Sequence, residues 1–419
     1  MQSVLKKYKF SEKEMAEIMD KVNSFCNKLS QKLKKNNVSA DVMLGGSAAK
    51  GTLIKGDFDC DIFVRFNDKY SSVNISDVLE NALHSQKYQR LHGSRDYFQV
   101  YSKGIKYEIV PVLRVDKTEQ AKNVTDLSPL HVSWIKARIQ KNPSLVDEIL
   151  LAKLFCKAQN LYGAESYIRG FSGHVLDILV AYYGSFESLL RNAVHWHRYK
   201  VIDIEGHNSR RELNKSKISP LIVIDPIQKD RNAAAALSIE NFELFKKRAK
   251  EYIDHPSPKF FDKKPITVGV LRRLCPPGRD AVILEVSPLE GKEDIIGTKM
   301  LKVFIFISRQ LELHDFIVTD KGWSWDRKKK ALMWFFVPKG EIAHTKEHMG
   351  PPLHCKKDVS AFKAAHRDTF VRGHRIFARI KRQFVFHRDL IEHLINQSYI
   401  KEKVASVRLL SENKHKRGA

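Results

Sequence analysis

The sequence predicts an α+β protein that contains several domains. Patterns of short apolar strands dominate the first 115 residues, whereas helical periodicity dominates residues 131–200. Mixed patterns follow a proline-rich stretch at residues 255–258, which is typical of a boundary between domains. A chain of 419 residues offers room for two or three domains of roughly 100–200 residues each. Separate strand-rich and helix-rich segments of this kind favour the α+β class.

The first segment predicts a small sheet covered by helices. A helix is expected over 11–36, because Ser11 and Glu14 form the pattern of a capping box and apolar residues recur behind them. A short strand at 42–44 then runs into a glycine-rich turn. Three more strands are predicted by apolar runs bounded by turn residues, at 59–66, 98–101 and 106–112.

The second segment predicts helices, and the last segment predicts a mixture. Helical periodicity covers four stretches, 146–159, 172–183, 185–193 and 238–252. Beyond residue 258, strands are expected at 281–286 and 331–337, and helices are expected at 297–310 and 358–366.

The charge of the chain favours a polyanionic partner. Lys and Arg number 73 against 48 Asp and Glu, which gives a formal net charge of +25. A surface this basic attracts nucleic acid first and an anionic membrane surface second. A membrane-spanning segment is not expected, because the most apolar stretch, 173–190, contains His174, Asp177 and Glu187. The five widely spaced cysteines indicate a reducing compartment, so we expect a cytoplasmic protein.

Two aspartates separated by one residue provide the clearest chemical signal. Gly46 and Ser47 are followed by eleven residues and then by Asp59 and Asp61 on a predicted strand. Side chains at i and i+2 of a strand share a face, so the two carboxylates project together and repel each other without a cation. Glu108 interrupts another apolar strand and is the expected third acid. Three such carboxylates favour Mg²⁺ and are enough to hold two ions.

The glycine–serine pair before the acids predicts a triphosphate site. Glycine lets backbone N–H groups approach a phosphate closely, and the hydroxyl of Ser47 adds a further donor. Together with acids that bind Mg²⁺, this arrangement indicates nucleotidyl transfer. Asp57 also precedes the acids, but its position beside Gly56 is typical of a turn.

Longer segments resemble one family of nucleotidyltransferases. Residues 45–64 (GGSAAKGTLIKGDFDCDIFV) are similar to the head domain of the polymerase-β superfamily. Three further segments narrow the resemblance to archaeal (class I) CCA-adding enzymes, which are tRNA nucleotidyltransferases: 128–131 (SPLH), 161–173 (LYGAESYIRGFSG) and 223–238 (VIDPIQKDRNAAAALS). The resemblance covers 1–260 well and continues weakly to residue 384.

The resemblance implies a four-part organisation. A polymerase-β-like nucleotidyltransferase head, with a small mixed sheet and helices, is expected to be followed by a helical neck and by a mixed α/β body and tail. The expected bounds are 1–140 for the catalytic head, 141–258 for the neck that selects nucleotide and base, 259–310 and 376–419 for the body, and 311–375 for the tRNA-binding tail.

The resemblance also implies roles for individual residues. Asp59, Asp61 and Glu108 are the expected catalytic and metal-binding acids, although the family usually has aspartate at the third position. Arg231 matches an arginine that helps to select the incoming base, and Lys50 stands where the family commonly has arginine. The expected nucleotide-binding residues are Gly46, Ser47, Lys50, His131, Lys153, Tyr162 and Arg231.

The implied reaction adds C, C and A to the 3′ end of tRNA. CTP and ATP are the expected substrates, two Mg²⁺ ions the expected cofactors, and pyrophosphate the expected by-product. The basic surface is expected to bind the acceptor and TΨC stems of tRNA through phosphate and 2′-hydroxyl contacts. A homodimer is one expected assembly, because the family often dimerises.

Two other functions fit parts of the pattern. A poly(A)-type or oligoadenylate-forming enzyme of the same superfamily would share the acids, but the segment around Arg231 and the tail favour CCA addition. A non-catalytic RNA-binding protein with a relic head domain would share the charge. The intact acids Asp59, Asp61 and Glu108 disfavour that second alternative.

Overall fold

A computed structural model describes residues 1–84 and 86–410. The chain divides into two compact units, Met1–Lys264 and Pro265–Ala419, and each has its own hydrophobic core. Strands and helices occur in both units, which confirms the predicted α+β class. The last nine residues of the predicted body, 411–419, lie outside the described residues. Among the described residues, no helix combines the length and the apolar character needed to cross a membrane.

A five-stranded sheet organises the beginning of the first unit. Its elements are α1 (Gln2–Tyr8), α2 (Glu12–Lys35), β1 (Ala40–Leu44), α3 (Gly46–Lys50), β2 (Cys60–Phe66), α4 (Ile75–Leu83), β3 (Tyr88–Leu91), β4 (Tyr97–Ser102) and β5 (Ile105–Leu113). The strand order is β1-β2-β5-β4-β3. The central strands β2 and β5 are parallel, whereas the other neighbouring pairs are antiparallel.

Helix α2 covers one face of this sheet. The predicted capping box is present, because Ser11 accepts from the backbone N–H of Glu14 and the Glu14 carboxylate accepts from the backbone N–H of Ser11. Apolar side chains at helical spacing then fall on one side of α2, where Val22, Leu29 and Leu33 are buried against the sheet. The sequence pattern therefore predicted both the start of this helix and its buried face.

Helices dominate the rest of the first unit. The elements are α5 (Ser128–Lys141), α6 (Leu145–Ala158), α7 (Gly173–Tyr183), α8 (Phe186–Ala193), β6 (Lys200–Ile202), β7 (Leu221–Val223) and α9 (Ile239–Asp254). The four predicted helices correspond to α6–α9, and β6 and β7 pair in parallel. The core of this part centres on Phe155, whose ring contacts those of Phe186, Phe245 and Tyr252. Helix α1 joins the same core through Val4.

Alternation along β2 decides which side chains can form a site. Cys60 and Ile62 are fully buried in the core shared with α2. Asp61 and Phe63 therefore project from the opposite face, where Phe63 packs in a cluster with Val132 of α5. Strand β2 begins at Cys60, one residue later than predicted, so Asp59 immediately precedes the strand.

The second unit contains two antiparallel sheets. Its elements are α10 (Val268–Leu274), β8 (Arg279–Ser287), α11 (Glu293–Leu313), β9 (Asp320–Trp325), β10 (Ala331–Pro338), β11 (Thr345–Pro352), α12 (Lys356–Ala365), β12 (Thr369–Arg372), β13 (Arg375–Lys381), α13 (His387–Ile395), α14 (Ser398–Lys401) and β14 (Ser406–Leu409). The strand orders are β14-β8-β10-β9 and β11-β13-β12. The expected bounds of the four domains remain a proposal. Strands β9 and β10 fall within the expected tail, but they belong to the same sheet as β8, which falls within the expected body.

Candidate active site

The three predicted acids come from the two central parallel strands. Asp61 on β2 is the register partner of Glu108 on β5, and Asp59 immediately precedes β2. The ammonium group of Lys106 lies 3.1 Å from a carboxylate oxygen of Asp59 and 3.0 Å from one of Glu108. Gln99 Nε2 also donates a hydrogen bond to Glu108 over 2.8 Å. The structure thus brings the acids together and supplies Lys106 as a counter-ion.

The acids are crowded enough to affect their ionisation. Burial, followed by the charges of Asp59 and Glu108, raises the pKa of Asp61 to about 7, although neighbouring lysines oppose the increase. A divalent cation relieves crowded carboxylates of this kind, and their hard oxygen ligands suit Mg²⁺. The residues present therefore fit a magnesium site formed by these three acids.

Gly46 packs directly against one of the acids. Its φ is +52°, and a Cβ atom at this position would lie 1.6 Å from Asp61 Oδ2. Only glycine combines this backbone conformation with so close an approach to a carboxylate. The turn predicted at residues 46–47 is in fact the first turn of α3, and Ser47 follows Gly46 within that helix.

A buried lysine joins Ser47 to the helical part of the unit. Lys153 of α6 is 3% exposed, and its ammonium group donates to Ser47 Oγ at 2.8 Å and to the Thr52 carbonyl oxygen at 3.1 Å. Burial lowers the pKa of Lys153 to about 8, and the charge of Lys50 adds to the decrease. Lys153 therefore remains cationic at neutral pH, and two residues predicted to bind the nucleotide are in direct contact.

Lys50 forms a second link between the sheet and the helices. Its ammonium group lies 2.6 Å from Asp177 Oδ2 on α7, and both side chains are almost completely buried. The other oxygen, Asp177 Oδ1, is buried and has no hydrogen-bond partner among the residues that the structure describes. The last residue of α3 is therefore tied to α7 by a counter-ion that the sequence indicated only as a charge within an apolar stretch.

Tyr162 lies beside the same junction. The ammonium group of Lys157 is 4.6 Å from the centre of its ring, and it also contacts Asp57 at 2.8 Å. Burial raises the pKa of Tyr162, and nearby acids that include Asp59 and Asp61 add to the increase. The ring of Tyr162 thus lies beside Lys157, whose ammonium group also pairs with Asp57 at the turn.

His131 and Arg231 meet at a shared carboxylate. Asp225 is fully buried and accepts from His131 Nε2 at 2.9 Å, from His174 Nε2 at 3.2 Å and from Arg231 Nη1 at 3.0 Å. Burial alone would raise the pKa of Asp225, but the hydrogen bonds from both histidines hold it well below its usual range. Burial also lowers the pKa of His131. Helix α5, which carries His131, packs against α3, which carries Ser47.

This histidine–aspartate cluster is also the tightest potential set of metal ligands. In the part of the chain that the structure describes, His131, His174 and Asp225 are the one group of three whose ligand atoms lie within 4.8 Å of one another. Asp59, Asp61 and Glu108 do not form such a group among the described residues.

Four functional candidates escaped the analysis of the sequence. Lys106, Asp177 and Asp225 each form an ion pair with a residue that the sequence did predict, and the ring of His174 lies 4.3 Å from that of His131. A usable signal existed for Lys106, because residues 106 and 108 share one face of a predicted strand. Asp225 belonged to a segment that carried the family resemblance, but its two histidine partners are distant in the sequence.

Comparison with protein families covers nearly the whole chain. Residues 147–262 match the tRNA nucleotidyltransferase second domain, and residues 282–407 match the C-terminal domain of CCA-adding enzymes. Residues 1–140 match a second messenger oligonucleotide or dinucleotide synthetase domain. Among solved structures, the Cid1 poly(U) polymerase with Mg and 3′-dATP bound has a TM-score of 0.51 at 14% identity, over 63% of this chain and 97% of that chain. That likeness supports the polymerase-β-like fold alone.

Curated relatives extend the match to complete proteins. The CCA-adding enzyme of Nanoarchaeum equitans is 37% identical over 354 residues, which cover 82% of this chain and 84% of the relative. The CCA-adding enzyme of Methanosarcina mazei is 28% identical over 424 residues, which cover 97% of this chain and 91% of the relative. The resemblance predicted from short motifs is therefore confirmed, and the chain belongs to the family of CCA-adding enzymes, which are tRNA nucleotidyltransferases.

Proposed function

We propose that the chain completes the 3′ end of tRNA by adding C, C and A from CTP and ATP at the junction of α3, β2 and α6. The observation that carries this proposal is the proximity of two opposite sets of groups. Asp59, Asp61 and Glu108 form the acidic set, and Ser47 with Lys153 forms a cationic, donor-rich set beside α3. A metal-bound triphosphate presents the complementary charges.

The acidic set would hold the metal. Asp59, Asp61 and Glu108 supply hard oxygen ligands, and we propose that they bind two Mg²⁺ ions. When bound, the ions would lower the pKa of the attacking hydroxyl and stabilise the leaving phosphate. Lys106 neutralises part of this acidic set, so it would keep two of the carboxylates ordered before metal and substrate bind.

The cationic set would hold the triphosphate. We propose that Lys153, Ser47 and Tyr162 bind the triphosphate together with Lys50 and Gly46, which is supported by the 2.8 Å hydrogen bond from Lys153 to Ser47. The 3′-hydroxyl oxygen of tRNA would form a bond to the α-phosphorus, the bond from that phosphorus to the bridging oxygen would break, and pyrophosphate would leave while the hydroxyl proton passes to water. Positive groups at the β- and γ-phosphates stabilise the charge that develops on pyrophosphate.

Arg231 would select the base, and His131 would complete that side of the site. A guanidinium group only donates hydrogen bonds. C and A carry an acceptor ring nitrogen at their pairing edges, whereas U and G carry an N–H group there. A fixed arginine fork therefore favours C and A over U and G.

The tRNA would be held mainly through its backbone. The net charge of +25 provides the attraction, and we propose that the acceptor and TΨC stems are recognised by shape and phosphate contacts. We further propose a cytoplasmic location. It is consistent with the free thiols of the five cysteines.

Incorporation into tRNA that lacks its last three nucleotides tests this proposal. The wild type should add two residues with CTP and one more with ATP only afterwards. Asp61→Asn should abolish addition while tRNA binding is retained. Asp41→Asn is the matched control, because Asp41 lies on the neighbouring strand and pairs with Arg65 at the surface.

The alternative functions predict different products. A long ladder with ATP alone would indicate a poly(A)-type enzyme. Failure of the wild type to incorporate any nucleotide with Mg²⁺ or Mn²⁺ would favour a non-catalytic RNA-binding protein. Equal loss of tRNA binding and incorporation in Asp61→Asn would mean that this acid is structural.

A further inference from the structure

We propose that Asp225 is a positioning residue for base selection, which fixes the guanidinium group of Arg231 with the help of His174. The proposal rests on the proposed function and adds to it the group that orients the selecting arginine. It concerns how accurately the nucleotide is chosen, so its effect is separate from the chemical step at the acids.

The carboxylate of Asp225 is fully occupied. Oδ1 accepts from His131 Nε2 and from the backbone N–H groups of Ile227 and Gln228 at 2.9 and 3.0 Å. Oδ2 accepts from His174 Nε2 and from Arg231 Nη1. A buried carboxylate with five donors is rigid, because each movement would leave a buried polar group unpaired.

Arg231 is fastened to Asp225 at two points. The backbone N–H of Asp225 donates to the carbonyl oxygen of Arg231 at 3.0 Å, which closes the loop between them. The side chain then returns, so that Nη1 lies 3.0 Å from Oδ2. The Arg231 side chain nevertheless remains 38% exposed. One edge of the guanidinium group is therefore fixed, while part of the side chain remains accessible to a ligand.

The histidines bring two helices to the same point. His131 lies on α5 and His174 on α7, and their ring centres are 4.3 Å apart. Both direct Nε2 at the carboxylate, so each donates a hydrogen bond there when its ring is neutral. The orientation of Arg231 is thus tied to two helices as well as to its own loop.

A metal ion is the competing occupant of this cluster. The spacing of His131, His174 and Asp225 would suit one. However, the guanidinium group of Arg231 already neutralises the carboxylate, and every carboxylate oxygen already accepts at least two hydrogen bonds. The observed contacts therefore favour an arginine-positioning role.

The test compares selectivity rather than rate. For Asp225→Asn, kcat/KM for single additions would be measured with CTP against UTP, and with ATP against GTP. The variant should lower both ratios by roughly 10- to 100-fold, because loss of the charge frees the guanidinium group to adopt other orientations. His174→Phe keeps a ring but removes one donor, so it should lower the ratios by a smaller factor.

Asp126→Asn is the matched control. Asp126 is also fully buried, pairs with Arg95 and accepts from backbone N–H groups, including that of Leu113 at 2.8 Å. It should reproduce any loss of thermal stability but leave the selectivity ratios unchanged. If Asp225→Asn does not fold, the comparison of His174→Phe with the wild type still decides the question.

A double-mutant cycle with Arg231→Ala isolates the coupling. Asp225→Asn should lower selectivity in the wild-type background and add nothing in the Arg231→Ala background. Unchanged ratios in Asp225→Asn and in His174→Phe, or equal rate losses for all four nucleotides, would overturn the proposal. A wild-type protein that adds no CCA would instead overturn the proposed function, so the two failures are distinguishable.

Discussion

Replacement of Lys153 provides the sharpest test of the proposed site, because it should affect the stability of the protein and the binding of the nucleotide to different extents. Burial lowers its pKa from the ordinary value of 10.5 to about 8, which corresponds to roughly 3 kcal/mol of lost stability. Between pH 8 and 10.5 the unfolded state binds more protons than the folded state, so stability rises with pH across that range. Below about pH 8 the full cost of a buried charge is present.

Replacement of Lys153 by methionine removes that cost but also removes a donor. The Thr52 carbonyl oxygen and Ser47 Oγ each lose a hydrogen bond, at about 1–3 kcal/mol for each group left unsatisfied. The gain of roughly 3 kcal/mol offsets at least half of the summed loss of about 2–6 kcal/mol, so the free energy of unfolding at pH 7 should fall by no more than about 3 kcal/mol. Nucleotide binding gains nothing from the substitution and loses a charge-assisted hydrogen bond to phosphate, which is worth about 1.5–3 kcal/mol. We therefore expect kcat/KM for CTP to fall roughly 10- to 150-fold.

The assay combines denaturant unfolding with the pH dependence of CTP addition. In the wild type, kcat/KM should decline above about pH 8 as Lys153 loses its proton. The methionine variant should lack this decline. Lys157→Met is the control, because Lys157 lies one turn away on α6 but is more exposed and pairs with Asp57. Strong destabilisation with normal kcat/KM, or a decline that persists in Lys153→Met, would refute the reasoning.

Three further predictions follow from the geometry of the site and from the charge. Gly46→Ala should reduce nucleotide incorporation by at least about 100-fold, because the added Cβ atom would collide with Asp61. Gly56→Ala is the control and should retain activity, because Gly56 also has a positive φ, of +83°, but an added Cβ atom would meet no described atom within 4 Å. Lys106→Met should lower the Tm without metal and increase the rise in Tm caused by Mg²⁺, since Asp59 and Glu108 lose their counter-ion; an equal rise in both proteins would contradict this. The Kd for tRNA should increase steeply between low and physiological salt, because +25 of net charge implies many phosphate contacts; a constant Kd would contradict the proposed contacts to the tRNA backbone.

The parts of the site that the sequence predicted well are encoded locally. Asp59 and Asp61 are separated by one residue at the start of β2, so the period of a strand is sufficient to place them on one face. Glu108 was identified as an acid within an apolar strand, and it is indeed the register partner of Asp61. The capping box at Ser11 and Glu14 predicted the start of α2 for the same reason.

The parts that the sequence did not predict depend on distant contacts. Asp225 lies 94 positions from His131, and Asp177 lies 127 positions from Lys50. No periodicity relates such positions, because they are brought together only when the sheet and the helices pack. Helix α1 illustrates the same limit, since Val4 joins the core around Phe155, which lies about 150 positions away in the sequence.

Two groups of the junction whose pKa values are shifted in opposite directions together argue for its function. Burial and the neighbouring acids raise the pKa of Asp61, and burial and the charge of Lys50 lower the pKa of Lys153, so the surroundings disfavour the charged form of each group. Placing acids beside acids, and a buried lysine beside another lysine, costs stability that the counter-ions Lys106 and Asp177 offset only in part. A divalent cation would relieve the acidic side, and a polyphosphate would relieve the cationic side. A metal-bound nucleoside triphosphate supplies both charges in one ligand, which is why this arrangement suits a nucleotidyltransferase better than a protein that only binds RNA.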